Sequence, residues 1–577
     1  MAYIIKEKRN KHIYYYLAES ARVNGKPRIV SKKYLGTAED ILDVLKHNDE
    51  MRKPEYSKIF DFGAVLALYD IAERLNVRQI IDQHVIKRDQ GLSVSDSILL
   101  AAINRAVKPT SKKSFFEWFE KTVLYTCFPK ANKKNLSSQG FWNNMSQIDE
   151  KTIELIEDDV AKIVVDKYNI SIDLLLYDNT NFISYIDTDN PATLAKRGHS
   201  KEKRSDLKIV GLSLMASPDH SIPLFHEIYP GNTNDSKRFA EVIPKLKRRY
   251  RKLNKGNCNV TLVFDRGNNS EDNIEEILSD VPALFHFVGG LKLNQCNELT
   301  NIPLKDFTLL EGDSFIGTRA YRTIKNVYGR DFTVVMTFNI ELYIAQLRGV
   351  KSNKEKCKLQ LEELQKSLLK WINGEVKKGR KPSLDGVNKK IRSILSQDYM
   401  GDLFIYELQT VNDFVNFTFN FSNDNYKKLK RDILGRSFLF TDRFEWTNEQ
   451  IVGAYRSQHH VENAFKQMKD TDYLTFRPMY HFTDSKIRVH AFYCVLSFLL
   501  VSLLNRELED MGYKMSIDKM LGCFKDVRQV INVYPKSKGH INNYETSYSD
   551  LNGIPKLYIE KNNLMQYLNR GTTFFKM

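Results

Sequence analysis

The order of elements between residues 171 and 293 constrains this 577-residue chain more than any other feature of its sequence. The run SIDLLLYDNT (171–180) is apolar enough for a central strand covered on both faces. LKIVGLSLMAS (207–217) and HSIPLFHEIYPG (220–231) alternate and are joined by a Pro218-Asp219 turn, so they should pair antiparallel. A basic helix around 235–252, the strand NVTLVFDRG (259–267), a helix capped by Ser270 and the strand ALFHFVGGLKL (283–293) follow. The pattern is α/β with a mixed sheet.

Three antiparallel strands, then helix, strand, helix, strand, is the element order of a ribonuclease-H-like core. Around it the pattern divides the chain into six segments. Residues 1–54 read as a β-hairpin, turning at Asn24-Gly25, and a helix opened by Thr37. Residues 55–170 are mainly helical with basic connectors (Lys112, Lys113, Lys130, Lys133, Lys134), as suits a DNA-binding region or an ordinary bundle with solvated lysines. The core fills 171–294 and resumes over 437–510. Between them, 295–436 reads as a β-rich insertion carrying a charged helical stretch, and 511–577 as a tail of mixed structure. Thr447 with Gln450 forms a capping box for a helix running from 448 to about 470.

Lys plus Arg number 87 and Asp plus Glu 71, a net charge of +16 that points to a polyanionic partner. The six cysteines are scattered, which argues against a zinc ribbon and a disulfide framework and fits a reducing cytosol. The charged amino terminus has no signal-peptide core, and the apolar run 491–504 is shorter than the roughly 20 residues a bilayer requires, so no membrane is expected. No Gly-x-x-x-x-Gly-Lys-Ser/Thr loop is present, so ATP is not implied.

Three acidic residues stand where a sheet-based site would put them. Asp178 closes LLLYD, Asp265 closes LVFD, and Glu462 lies on the capped helix. A carboxylate at the end of a buried strand is costly unless it is exposed at the rim, hydrogen-bonded or bound to a cation. As a set, without competing Cys or His clusters, they suit hard cations: two Mg²⁺ ions, with Mn²⁺ as the substitute, in phosphoryl transfer. Asp178 on the most central strand is then the bridging ligand. Tyr455, Glu462 and Lys469 recur every seven residues and so stack along one helix face. Adjacent His459 and His460 face about 100° apart, which disfavours a transition-metal site. Arg266, the loop 197–204, and Trp371 with the run Lys377–Lys381 are further candidates for phosphate contact, or are simply solvated.

That helix, with Tyr455, Gln458, Glu462 and Lys469, resembles the signature helix of the insertion-sequence-4 superfamily of DDE transposases (Tyr, two residues, Arg, three residues, Glu, six residues, Lys). The phrases LLLYDNTNF, RGHSKEKRSDLKIVGLSL, YPGNTNDSKRF, LVFDRGNNS, HVENAFKQMK and RPMYHFTDSKIRVHAF resemble its insertion-sequence-1634-like branch. The resemblance implies a catalytic triad of Asp178, Asp265 and Glu462 and an insertion between the second Asp and the Glu. It implies contacts to the transposon end by Tyr455 and Lys469. Gln458 replaces the signature Arg, so Arg456 or Lys466 would have to supply the lost phosphate contact. The expected partners are double-stranded DNA, as transposon ends and target, and further copies of the chain in a homodimer or higher synaptic assembly. The expected location is a prokaryotic cytoplasm, on the nucleoid. Two other readings share these residues: a degenerate DNA-binding derivative, and a ribonuclease-H-like nuclease without joining activity.

Overall fold

A computed structural model describes the chain except for residues 1, 10–11, 24–25, 50–53, 87–90, 188, 202–203, 205, 254–258, 281, 377, 412, 478, 536–543 and 569–577, and the side chains of 23 and 47–49. The Asn24-Gly25 turn, Glu202 and Lys203 of the basic loop, Cys258 and Lys377 therefore lie outside the described residues. The chain forms two compact units.

The smaller unit gathers residues 1–67, 119–129 and 519–577. Its amino-terminal part is a three-stranded antiparallel sheet of β1 (Ala2–Arg9), β2 (His12–Val23) and β3 (Lys26–Gly36), one strand more than the expected hairpin. The helix Ala38–Asp49 opens on a reciprocal cap, with Asp40 N donating to Thr37 Oγ1 (3.2 Å) and Thr37 N to Asp40 Oδ2 (2.7 Å). β4 (Tyr56–Asp61) pairs with Arg528–Val533, which pairs with Tyr544–Ser549. The carboxy-terminal tail thus closes a sheet with a strand from the segment expected to be helical.

The larger unit is built on a nine-stranded mixed sheet. β5 (Leu174–Ser184) sits between β6 (Lys208–Ala216), antiparallel to it, and β8 (Val260–Phe264), parallel to it. β7 (Pro223–Pro230) pairs antiparallel with β6, and β9 (Phe285–Gly290) pairs parallel with β8. The order β7-β6-β5-β8-β9 is the ribonuclease-H-like arrangement expected from the sequence. β5 and β8 are buried on both faces because the helix Asp235–Leu253 covers one side, where Phe239 meets Tyr177 and Phe264.

The expected β-rich insertion needs correction. β10 (Thr308–Leu309), β11 (Thr318–Val327) and β12 (Arg330–Asn339) continue the core sheet, which β15 (Arg436–Thr441) joins to β9. The apolar run of β12, buried from Phe332 to Met336, is what commits this hairpin to the sheet. What leaves the sheet is residues 340–435. It is mostly helix, led by the 33-residue Ile340–Ile372, with one hairpin of β13 (Phe404–Val411) and β14 (Phe414–Phe421). This excursion has its own apolar core around Leu361, Leu364, Ile391, Met400 and Phe417.

Helices from 68 to 118 and 130 to 168 pack into the larger unit rather than standing apart. Val94–Val107 is buried along nearly its whole length against Asp484–Asp510. The latter is long and apolar enough to cross a membrane, yet 94% of its most apolar window is enclosed by protein. Lys112, expected as a solvated connector, has its ammonium buried over the rings of Phe141 (4.3 Å), Tyr493 (4.5 Å) and Phe115 (5.1 Å).

Candidate active site at the ends of two parallel strands

The last rung of the β5–β8 ladder pairs Tyr177 with Phe264, so Asp178 and Asp265 are the next residues along two neighbouring parallel strands, whose backbones ordinarily run about 4.8 Å apart. Both side chains are held alike. Asp178 Oδ1 accepts from Asn179 N at 2.7 Å, and Asp265 Oδ1 from Arg266 N at 2.7 Å. Asp178 is half-buried and Asp265 exposed at the mouth. Neither Oδ2 has a hydrogen-bond donor among the described residues.

A polar network fixes the strand ends from below. The Tyr177 hydroxyl lies 2.8 Å from Asn179 Oδ1 and 3.1 Å from Ser213 Oγ, and Asn179 Nδ2 donates to Asn268 Oδ1 (3.2 Å). Asn268 lies on the short turn that follows Asp265, and Asn273 Nδ2 donates to its carbonyl (2.7 Å). Ser270 caps the next helix as its sequence implies, accepting from Asn273 N.

The helix expected over 448–470 is two. Asn448–Arg456, with the Thr447–Gln450 capping box intact, packs on β8, β9, β12 and β15; His459–Met468 packs on β5 and β6. At the break the hydrogen bonds tighten to three-residue steps, from Gln458 N to Tyr455 O and from His460 N to Ser457 O. The break seats Tyr455 on the helix over β8 and β9 and Glu462 on the helix over β5 and β6. Tyr455 Oη donates to Asp265 Oδ1 (3.3 Å), and burial followed by the Asp265 charge raises its pKa. Glu462 is exposed, without a side-chain partner among the described residues.

The three acids share one electrostatic neighbourhood. Burial, with the like charges of Asp265 and Glu462 adding to it, pushes the Asp178 carboxyl up to about 7, while Lys201 and the Asn179 amide oppose the shift. They do not form a closed cage: among the described residues no three His, Cys, Asp or Glu side chains are grouped tightly enough to hold a metal ion. The donor set nonetheless fits hard divalent cations, being all oxygen and carrying a carboxyl whose ionised form is only partly offset by Lys201 and the Asn179 amide.

The expected DNA-contacting residues fall into two groups. Lys466 and Arg266 are exposed, and Lys469 lies 5.5 Å over the Phe182 ring of β5. Gln458 is a correction: it is buried, and its Nε2 donates to the Tyr177 carbonyl at 3.0 Å, clamping the helix break to β5. The amide supplies a neutral donor to that carbonyl, while its Oε1 is buried without a partner among the described residues. Arg456 is likewise committed inward, donating to Ser314 O and Thr318 Oγ1, each at 2.6 Å, with Phe315 under its guanidinium. The rings of His459 and His460 lie 3.9 Å apart, and His459 Nδ1 is 2.7 Å from Arg456 O.

Two residues that sequence reasoning passed over, Asp235 and Gly290, join the site, together with Lys201, which was named only as part of the basic loop. Lys201, from the basic loop, donates to Asn179 O (2.5 Å) beside Asp178. Asp235, first residue of its helix, is a fourth carboxylate close to Asp265 and Lys201, its pKa raised by burial first. Gly290 ends β9 where a Cβ would stand 2.8 Å from Tyr455 Oη and 3.0 Å from Arg266 Cβ. Asp235 lay within the phrase YPGNTNDSKRF and Lys201 within the basic loop, but spacing alone gave neither a partner.

The sequence pattern described as "Transposase DDE domain" matches residues 185–500, more than half of the chain, taking in Asp265 and Glu462 and beginning just after Asp178. No curated protein matches the chain. Among solved structures it is similar to a piggyBac transposase synaptic complex with hairpin DNA (11% identity, 79% of this chain and 80% of that one, TM-score 0.36). It is also similar to a Mos1 transposase paired-end complex with the left transposon end (14% identity, 34% of this chain and 59% of that one, TM-score 0.14).

Proposed function

Because the chain belongs to the transposase DDE domain family, we propose that Asp178, Asp265 and Glu462 are its catalytic acids, in metal-dependent cleavage at transposon ends followed by strand transfer into target DNA. The observation that carries this reading is the placement of Asp178 and Asp265 one residue past the same ladder rung, with Glu462 in electrostatic reach. Two divalent cations, once bound, would supply activation of the attacking oxygen and stabilisation of the leaving one. The chain's own part is positional. The parallel ladder sets the two aspartates, rotation of the unpartnered Glu462 side chain brings in the third carboxylate, and Tyr455 orients Asp265 from outside. Lys201 stands as counter-charge to Asp178. Lys469, Lys466 and Arg266 would offer basic groups to the DNA backbone.

We place the chain in the insertion-sequence-4 superfamily, in its insertion-sequence-1634-like branch, acting on double-stranded DNA as a dimer or higher assembly on the nucleoid. The test is nicking and joining of an end-containing duplex with Mg²⁺ by Asp178→Asn, Asp265→Asn and Glu462→Gln proteins. Each should lose at least 10³-fold in rate, the scale of a removed charge-stabilising group. Retained activity in any one removes that residue from the site, and nicking without joining favours the plain nuclease reading.

A further inference from the structure

The segment expected to grip DNA is the helical one, yet residues 55–170 contain sixteen Lys and Arg against sixteen Asp and Glu, a net charge of zero. Residues 1–36 contain nine Lys and Arg against two Glu. That excess lies on the three-stranded sheet β1–β3, and every described lysine and arginine in it is exposed.

Register separates the two faces. On one, Arg9 and Lys32 are both paired with Glu7, Lys32 also lies over Tyr16, and Tyr14 and Tyr16 pack against Tyr34. On the other, Leu17 stands between Ile4 and Lys33, and Lys6 stands across from Tyr15 and Lys8 from Ile13. Lys6, Lys8 and Lys33 have no carboxylate partner among the described residues, and Glu19 is the acid that shares their face. Ile4 is 61% and Ile13 44% exposed.

Resting on the transposase reading, we infer that the Lys6–Lys8–Lys33 face of this amino-terminal sheet docks on duplex DNA. A sheet face laid against duplex DNA can set its lysines on phosphates and its isolated apolar side chains on thymine methyls. Charge selects DNA over a second copy of the chain. An isologous contact would set these three lysines against their own images, with Glu19 alone among the described acids of that face to offset them.

The experiment is equilibrium binding of the full chain to a fluorescent duplex, without divalent cation, across a salt series. Lys6→Ala/Lys8→Ala/Lys33→Ala should bind at least tenfold more weakly, with the slope of log K against log salt reduced by about 2–3, since each phosphate contact contributes about 0.9. Arg9→Ala/Lys32→Ala, on the opposite face, should stay within twofold of the parent. Unchanged affinity and slope in the triple variant overturn the inference. So does a weaker affinity that tracks a change of molecular mass in light scattering, because the face would then join copies. Because binding is read without metal, a parent that binds normally but never nicks with Mg²⁺ overturns the transposase reading and leaves the docking face standing.

Discussion

Asp178 is held at a cost when no cation is present. Its carboxyl, raised to about 7 by burial and by two neighbouring acids, keeps its proton more tightly folded than unfolded. The metal-free fold should therefore lose stability as pH climbs from about 4 to about 7 and stay at the lower level above that. Three pK units set a ceiling of about 4 kcal/mol. Asp178→Asn should accordingly unfold at a higher temperature than the parent at pH 8, the gap vanishing at pH 4, while losing activity; an unchanged melting point at pH 8 would contradict the shift. Gln458 makes the opposite case. Restoring the signature residue with Gln458→Arg puts a larger, charged guanidinium into a buried seat where the amide's bonded acceptor is one carbonyl, so denaturant unfolding should show a loss of about 1–3 kcal/mol without tighter DNA binding. The strand-end positions of Asp178 and Asp265 were legible in the sequence because apolar runs mark where buried strands stop. The inward turns of Gln458 and Arg456 were not, because a seven-residue spacing carries no record of a break at 457–458.

Elements were readable where periodicity is local. The five core strands, the Ser270 cap and the Thr447–Gln450 box all follow from patterns a few residues long. The insertion was misjudged because sheet membership is a long-range property. β12 shows its apolar run in the sequence but not that its partner is β15, about a hundred residues on. The same pairing makes a strong expectation. Asn339 N donates to Gly435 O at 2.9 Å, so the chain leaves and re-enters the sheet at neighbouring points. Replacing residues 340–435 with a two-residue Asn-Gly turn should leave a soluble core that unfolds in one cooperative transition; an insoluble product, or loss of the near-ultraviolet circular dichroism of the core, would show that the excursion is structurally required. At Gly290, a change to Val should displace Tyr455 and cost 1–3 kcal/mol through overpacking, about the range for buried small-to-large changes. Tyr455→Phe should leave stability nearly unchanged, which calorimetry of the pair distinguishes.

For the whole molecule, a net charge of +16 indicated a polyanion but not its place of contact. A whole-chain total hides that the charges of residues 55–170 cancel, and that one of the lysines named there, Lys112, has its ammonium enclosed by aromatic rings. Cation binding should appear globally as well. Millimolar Mg²⁺ should raise the melting temperature of the parent and leave that of Asp265→Asn unmoved, since a ligand stabilises only the state that binds it. Equal shifts in both would place the ion elsewhere.

The shared rung beneath Asp178 and Asp265 has a consequence for how such a chain can diverge. Peptide hydrogen bonds, the same in any sequence, act as the ruler between the two acids, so nearly every apolar side chain around them is free to drift. What the arrangement cannot survive is an odd-numbered slip: a single residue added to either strand would turn one carboxylate to the opposite face.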